Sequence, residues 1–260
     1  MSSAPSPHGR SRQLVNVAVL AAVLWANALA GSGALSGESI GLIANRYPST
    51  FLPANWVFGI WSLIYLWLVL FTAYQALPSQ RQNQALARVG WGWAVNGALN
   101  IAWVALFSFS LFGPALGVMA MLLVNLVWLV ERTGWPDGRL GWMDRIFVAW
   151  PFGLYLAWIS VALIANTFQY LTYLRWSGLG ISAEAWSALM MVVATGLSAF
   201  MVLARGNWLF PVVFAWAFLG IADRFADVPL ISNTAYAMTG VGLGVLPLGL
   251  LRRRRRGLAA

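Results

Sequence analysis

Long apolar runs, separated by short polar segments, extend along this chain from residue 14 to residue 251. We predict a membrane-spanning helix for each run, because about 20 consecutive apolar residues cross the hydrocarbon core of a bilayer and satisfy their own backbone polar groups. The eight predicted spans are 14–33, 54–77, 89–109, 113–130, 146–166, 183–204, 207–222 and 233–251. The pattern therefore predicts an all-α integral membrane protein, with the lipid bilayer as its surroundings.

Composition supports this class. The chain is 60% hydrophobic and only 9% charged, whereas a soluble domain carries about 25% charged residues. We therefore read the chain as folded in lipid and not in water. The tails are separate: residues 1–12 are expected to be a disordered N-terminal tail and residues 252–260 an Arg-rich cytoplasmic tail.

The basic residues predict the orientation of the chain. All 16 are arginines, and with eight spans 13 of them fall on one side of the membrane and three (Arg46, Arg175 and Arg224) on the other. The positive-inside rule then places both termini in the cytoplasm, most simply of a bacterial cytoplasmic membrane. The run 252–256 suits anionic lipid headgroups better than nucleic acid, because no folded basic domain accompanies it. An alternative is that residues 1–30 are a cleaved secretory signal.

The usual chemistry of an active site is missing from the sequence. There is no cysteine, and the only histidine is His8, in the N-terminal tail. No metal site is therefore expected, and the acidic residues fall in loops or near span ends, away from the depth at which ion-coupled pumps place ionisable groups. We find no phosphate-binding loop and no nucleophile elbow, so we assign no catalytic residue and favour a non-enzymatic protein.

Aromatic and amide side chains occupy the interior of the spans instead. They recur at helical spacing of three and four residues, which places them on single helix faces. The stripes are Phe58, Trp61 and Tyr65; Trp93, Asn96, Asn100, Trp103 and Phe107; and Tyr155, Trp158, Ala162 and Asn166. Such faces suit either ordinary helix packing or a flat hydrophobic ligand held between rings. For Asn125 on the fourth span, helix packing is the better interpretation.

Three segments resemble one known family. Residues 55–65 read NWVFGIWSLIY, residues 98–103 read ALNIAW, and residues 154–162 read LYLAWISVA, continuing to NTF at 166–168. In this order and spacing they are similar to the motifs of the TspO/MBR family, the tryptophan-rich sensory proteins that include the translocator protein, or peripheral benzodiazepine receptor. The resemblance covers residues 12–172 and implies a five-helix transmembrane domain, which we place at residues 13–172.

The resemblance also implies a ligand and a set of binding residues. The family binds porphyrins, sterol-like lipids and benzodiazepine-type drugs in a pocket open toward its first loop, which acts as a lid. Matching the motifs onto this chain gives the predicted ligand-binding residues Tyr47, Trp61, Tyr65, Asn100, Trp103, Trp158, Ala162 and Asn166. The indole rings would stack on the ligand, Asn100 would orient it with a hydrogen bond, and Ala162 would leave room for it.

The chain departs from the family pattern in two places. The family's longer Trp/Pro-rich lid, between Tyr47 and the second helix, is shortened to 48–54, and three further spans follow as a C-terminal extension at 173–251. In the extension we expect Asp223, Arg224 and Asp227 to be solvated or paired with one another, with a gating role as the alternative. The extension resembles a longer bacterial subgroup of the family.

Two functional classes follow from the resemblance. The first is a receptor or translocator for a porphyrin, another tetrapyrrole or a sterol-like lipid, with a sensory or regulatory role and no required cofactor. The alternative is a membrane enzyme acting on such a lipophile, by porphyrin photo-oxidation or by isoprenoid or carotenoid modification. The resemblance favours a homodimer, while the GxxxG motifs Gly113/Gly117 and Gly240/Gly244 are expected to serve internal packing.

The arginine distribution gives a test of topology. Reporter fusions placed after Arg175 and at the C-terminus should report opposite sides of the membrane, because three predicted spans separate them. Reports from the same side would contradict the predicted spans.

Overall fold

The structure, a computed structural model, describes residues 9–135 and 140–255. It is 83% helical, and no strand occurs among the described residues, which confirms the all-α class. Five helical segments are long and apolar enough to cross a membrane: Arg10–Ser32, Asn55–Ala76, Phe112–Thr133, Trp142–Tyr173 and Ala183–Arg205. The chain is thus built as an integral membrane protein.

Each predicted span overlaps a helix, but the eighth, 233–251, is divided between two helices, Pro229–Gly244 and Leu246–Arg255. The helices are α1 (Arg10–Ser32), α2 (Ile40–Arg46), α3 (Ile60–Ala76), α4 (Gln84–Val89), α5 (Gly92–Ser108), α6 (Phe112–Thr133), α7 (Trp142–Asp144), α8 (Trp150–Tyr173), α9 (Ala183–Arg205), α10 (Leu209–Arg224), α11 (Pro229–Gly244) and α12 (Leu246–Arg255). A 3₁₀ turn, Asn55–Gly59, precedes α3, and a π-helical turn, Arg145–Ala149, joins α7 to α8. The helices of the third, seventh and eighth predicted spans are not among the five membrane-length helices, since α5, α10 and α11 contain only 17, 16 and 16 residues, and these three spans stay predictions.

The long helices end where the sequence supplies a suitable residue. Helix α6 ends at Gly134, whose φ of 74° lies in the left-handed region that glycine adopts without steric cost. Helix α9 begins after Ser182, whose hydroxyl accepts a hydrogen bond from the backbone N–H of Ala185 at 3.2 Å. These caps separate adjacent spans that share the same apolar composition.

The chain divides into two compact units. The first comprises residues up to Ile40 together with Trp61–Leu156, and the second comprises Gly41–Ile60 together with the chain from Ala157. Each unit therefore combines segments from both sides of residue 60. The predicted domain division at residue 172 rests on the family resemblance and stays a prediction.

In the first unit, α5 packs between α1 and α6. Glycines permit the close approach: a Cβ added at Gly97 would lie 2.2 Å from Cγ1 of Val19, and one at Gly92 would lie 2.3 Å from the ring of Trp128. Both distances are far below van der Waals contact, so a larger residue at either position would push the helices apart.

In the second unit, α9, α10 and α11 pack against one another, and the turn Asn55–Gly59 packs on α10. Gly220 on α10 lies directly against Val57, since a Cβ there would be 2.0 Å from Cγ2 of Val57. The backbone N–H of Ala54 donates to the carbonyl oxygen of Gly220 at 2.9 Å. The chain before α3 is therefore fitted closely onto the C-terminal extension.

Polar groups at the end of α10 complete this contact. Arg224 donates to Oδ1 of Asn45 at 2.9 Å and to the carbonyl oxygen of Pro53 at 3.4 Å. Asp223 accepts a hydrogen bond from the indole of Trp56 at 2.9 Å. The expectation of mutual pairing is therefore wrong for Asp223 and Arg224, which bind the segment before α3. Asp223 and Asp227 are exposed, as expected for solvated groups, whereas Arg224 is half-buried.

The indole rings make a parallel connection. Trp216 on α10 donates from Nε1 to the carbonyl oxygen of Val57 at 3.0 Å. Its ring meets that of Trp56 edge-on, with 4.7 Å between centroids. We call Trp216, Gly220, Asp223 and Arg224 the α10 clamp, and residues 47–54 the first loop.

The glycine motif of α11 is placed differently from the prediction. Gly240 and Gly244 are exposed, and a Cβ added at either would meet nothing within 4 Å. The prediction that they serve internal packing is therefore wrong, because this face of α11 points away from the other helices of its unit. The homodimer stays a prediction.

The α10 clamp can be tested with a single engineered thiol, since the chain has no cysteine. Ser49 in the first loop is only 4% exposed, so Ser49→Cys should react slowly with a maleimide. Adding Arg224→Ala should speed the labelling about threefold to tenfold, because the hydrogen bonds from a charged group to Pro53 in the loop and to Asn45 just before it are lost. The measurement is the labelling rate in mild detergent.

Arg175→Ala is the matched control, since Arg175 is an exposed arginine outside the clamp. It should leave the rate of Ser49→Cys unchanged, and the denatured protein gives the upper limit. Equal rates with and without the Arg224 side chain would show that the clamp does not hold the loop.

Candidate aromatic and amide site

Four aromatic side chains of the first unit form one cluster around Trp61. Trp61 and Tyr65 are four residues apart on α3, which places them one turn apart on one face, and their rings stack with 5.4 Å between centroids. Trp103 on α5 stacks on Trp61 at 6.4 Å. Tyr155 on α8 meets Trp61 nearly edge-on at 5.7 Å. The structure thus brings together three of the predicted binding residues.

Amide groups bind the edge of this ring cluster. Asn100 on α5 donates from Nδ2 to the hydroxyl of Tyr155 at 2.7 Å. Asn27 on α1 donates to Oδ1 of Asn100 at 2.8 Å. Asn100 and Tyr155 are each only 1% exposed. The amide that was predicted to orient a ligand therefore bonds to Tyr155 and Asn27.

The first residues of the same stripe on α5 pack against neighbouring helices. Trp93 donates from Nε1 to the carbonyl oxygen of Asn16 at 3.3 Å, and its ring packs against Phe71. Asn96 donates to Oδ1 of Asn125 at 3.0 Å, linking α5 to α6. Asn125 therefore serves helix packing, as predicted. Only the later part of the stripe, Asn100 and Trp103, joins the ring cluster.

The other predicted residues belong to the second unit. Tyr47 meets the ring of Tyr173 edge-on at 5.2 Å, and the ring of Trp158 meets that of Phe58 edge-on at 6.2 Å. Ala162 is 8% exposed, and Asn166 donates to the carbonyl oxygen of Ala162 in its own helix at 3.0 Å. Their place in a ligand site together with the ring cluster stays a prediction.

Two members of the site were not among the predicted binding residues. Tyr155 was part of a predicted stripe but had no assigned role, and Asn27 was not singled out. A signal for Asn27 was present, since an amide inside an apolar span must find a partner within the protein. The sequence does not reveal which partner it finds.

The chemistry of the cluster is that of a binding surface. Trp61 and Tyr65 are half-buried and present ring faces, while Trp103 and Tyr155 are buried. Among the described residues, no group of three or more His, Asp or Glu side chains lies close enough together to hold a metal ion. The arrangement offers stacking on aromatic faces and two phenolic hydroxyl groups, that of the half-buried Tyr65 and that of the buried Tyr155.

Comparison with known proteins gives one match. A family model described as TSPO-like protein matches residues 13–247. No match was found among curated proteins, and none among solved structures. The matched region extends beyond the predicted limit at residue 172 and includes α9, α10 and α11, so the C-terminal extension lies within the family's pattern.

The pairing of Asn96 with Asn125 predicts an energetic coupling. A double-mutant cycle with Asn96→Ala and Asn125→Ala should give about 0.6 kcal/mol, and at most about 2 kcal/mol, because hydrogen bonds between membrane helices fall in that range. The measurement is reversible unfolding in detergent micelles.

Asn83 supplies the control for this cycle, since it bonds to Asp144 and not to Asn96. Asn96→Ala and Asn83→Ala should act additively. Additive effects for Asn96 and Asn125 as well would show that the observed bond does not stabilise the fold.

Proposed function

The chain belongs to the TSPO-like protein family, and from this premise we propose that it is a membrane receptor or translocator for a flat lipophilic ligand. The ligand class is a porphyrin, another tetrapyrrole or a sterol-like lipid, and the role is sensory or regulatory. The observation that carries the proposal is the ring cluster of Trp61, Tyr65, Trp103 and Tyr155 in the first unit.

The geometry of the rings favours one mode of binding. A flat ligand between two rings needs about 3.5 Å on each side, or about 7 Å between them. Trp61 and Trp103 are 6.4 Å apart by centroid, which is too close for insertion. The ligand therefore stacks on the outer faces of the half-buried rings, Trp61 and Tyr65. Tyr47, Trp158, Ala162 and Asn166 join the proposal through the family resemblance alone.

A second candidate is the enzyme that the resemblance allows, a porphyrin photo-oxidase. The observation that favours it is the stacking of two indoles, Trp61 and Trp103, in the same cluster. The two candidates differ in what light does. Under illumination, a receptor leaves the absorption spectrum of its already bound ligand unchanged. The enzyme instead consumes the bound ligand in the light, and this loss of absorption requires Trp61.

Protoporphyrin IX titration tests the proposal. Trp61→Ala should weaken binding about tenfold, since a stacked aromatic contact contributes about 0.5–1.5 kcal/mol beyond the area that it buries. Ala162→Phe should weaken binding by filling the space that the family pattern leaves free. The measurement is the shift of the porphyrin absorption band in detergent and in nanodiscs, in darkness and under illumination.

Trp128→Ala is the matched control, because Trp128 is a partly exposed indole on α6 outside the ring cluster. It should bind the porphyrin like the wild type. Equal affinity of the wild type, Trp61→Ala and Ala162→Phe would return the ring cluster to plain helix packing.

A further inference from the structure

The hydrogen bonds among Asn27, Asn100 and Tyr155 have a fixed direction. Nδ2 of Asn27 lies 2.8 Å from the carbonyl oxygen of Val23 and 2.8 Å from the side chain of Asn100. A backbone carbonyl oxygen can only accept, so the Asn27 atom that faces it must be the amide nitrogen. The side chain of Asn27 is thereby held in one of its two amide orientations.

The orientation of Asn27 then fixes the donor and acceptor of each following hydrogen bond. Since Asn27 donates, Asn100 must turn its oxygen toward it and its nitrogen toward Tyr155. The hydroxyl oxygen of Tyr155 therefore accepts from Asn100, and the hydroxyl proton is left to be donated elsewhere. Within the described residues, no acceptor takes this proton, although Tyr155 is only 1% exposed.

A buried donor without an acceptor is unfavourable, and here it lies at the edge of the ring cluster. Helix packing alone explains the two bonds of Asn100, but it does not explain a hydroxyl proton that faces no acceptor. The ring of Trp61 meets that of Tyr155 edge-on at 5.7 Å. A flat molecule stacked on Trp61 would therefore have its rim near the phenol of Tyr155.

We propose that Tyr155 donates a hydrogen bond to an acceptor oxygen at the rim of the ligand, and that Asn27 is the positioning residue that sets the direction of this bond. The inference rests on the proposed function and specifies its ligand. The site selects flat lipophiles that carry a carbonyl, ester or carboxylate oxygen, and it discriminates against those that present hydrocarbon alone.

Two porphyrins with the same ring test this selection. Protoporphyrin IX dimethyl ester carries uncharged carbonyl oxygens, and etioporphyrin carries only alkyl groups. The wild type should bind the ester about threefold to tenfold more tightly, the range of one net hydrogen bond. Tyr155→Phe, which removes only the hydroxyl, should abolish this preference by weakening the ester and leaving etioporphyrin unchanged.

Asn27→Leu tests the positioning role. Without Asn27, Asn100 is free to turn its oxygen toward Tyr155 and accept the hydroxyl proton, so the preference for the ester should again be lost. The double variant with Tyr155→Phe should lose no more than either single variant. Asn125→Leu, which removes a packing amide elsewhere in the first unit, should keep the full preference.

The outcomes separate this inference from the proposed function. A preference for the ester that survives in Tyr155→Phe, or equal weakening of both porphyrins, would overturn the inference and leave ligand binding intact. An unchanged preference in Asn27→Leu would remove the positioning role. Failure of the wild type to bind either porphyrin would overturn the proposed function, and the inference with it.

Discussion

A polar group inside a bilayer has no water to bind, so each one must find its partner within the protein. In the first unit, the polar side chains meet this requirement by hydrogen bonds between helices. Gln13 on α1 and Gln75 on α3 each donate to the other's backbone carbonyl oxygen, at 2.7 and 3.2 Å. Asn96 and Asn125 link α5 to α6. The hydrogen bonds from Asn27 to Asn100 and from Asn100 to Tyr155 link α1, α5 and α8. Amides therefore link each of these pairs of neighbouring helices.

The second unit meets the same constraint at the ends of its helices. The first loop has irregular backbone, and the α10 clamp binds two of its backbone groups: Arg224 donates to the carbonyl oxygen of Pro53, and the carbonyl oxygen of Gly220 accepts from the N–H of Ala54. The shortened first loop and the C-terminal extension are thus joined by direct hydrogen bonds. A short loop has few side chains of its own, and α10 supplies the contacts.

The features that could be predicted from sequence depend on local pattern. Apolar length is enough to predict helices throughout the chain, five of which are long and apolar enough to cross a membrane. Helical spacing is enough to place Trp61 and Tyr65 on one face of α3, whereas the expectation that Trp103 of α5 joins them comes from the family resemblance. The partners of Asn27 and Arg224, and the exposure of Gly240, depend on which helices pack together, and a single sequence does not contain that pairing. The direction of the hydrogen bonds at Asn100 is harder still to predict from sequence, because it is set by the carbonyl oxygen of Val23 on another helix.

The arrangement of the second unit has a consequence for how the chain is made. Trp56 and its partner Asp223 are 167 positions apart in sequence. Ribosomes add about 5–20 residues per second, so the first loop waits roughly ten to thirty seconds before α10 is synthesised. Throughout that interval its carbonyl and N–H groups need another partner, from solvent, lipid headgroups or the insertion machinery. A helix that is synthesised late thus supplies the hydrogen-bond partners of an early segment. A chain whose translation stops before α10 would therefore have a first loop without these partners.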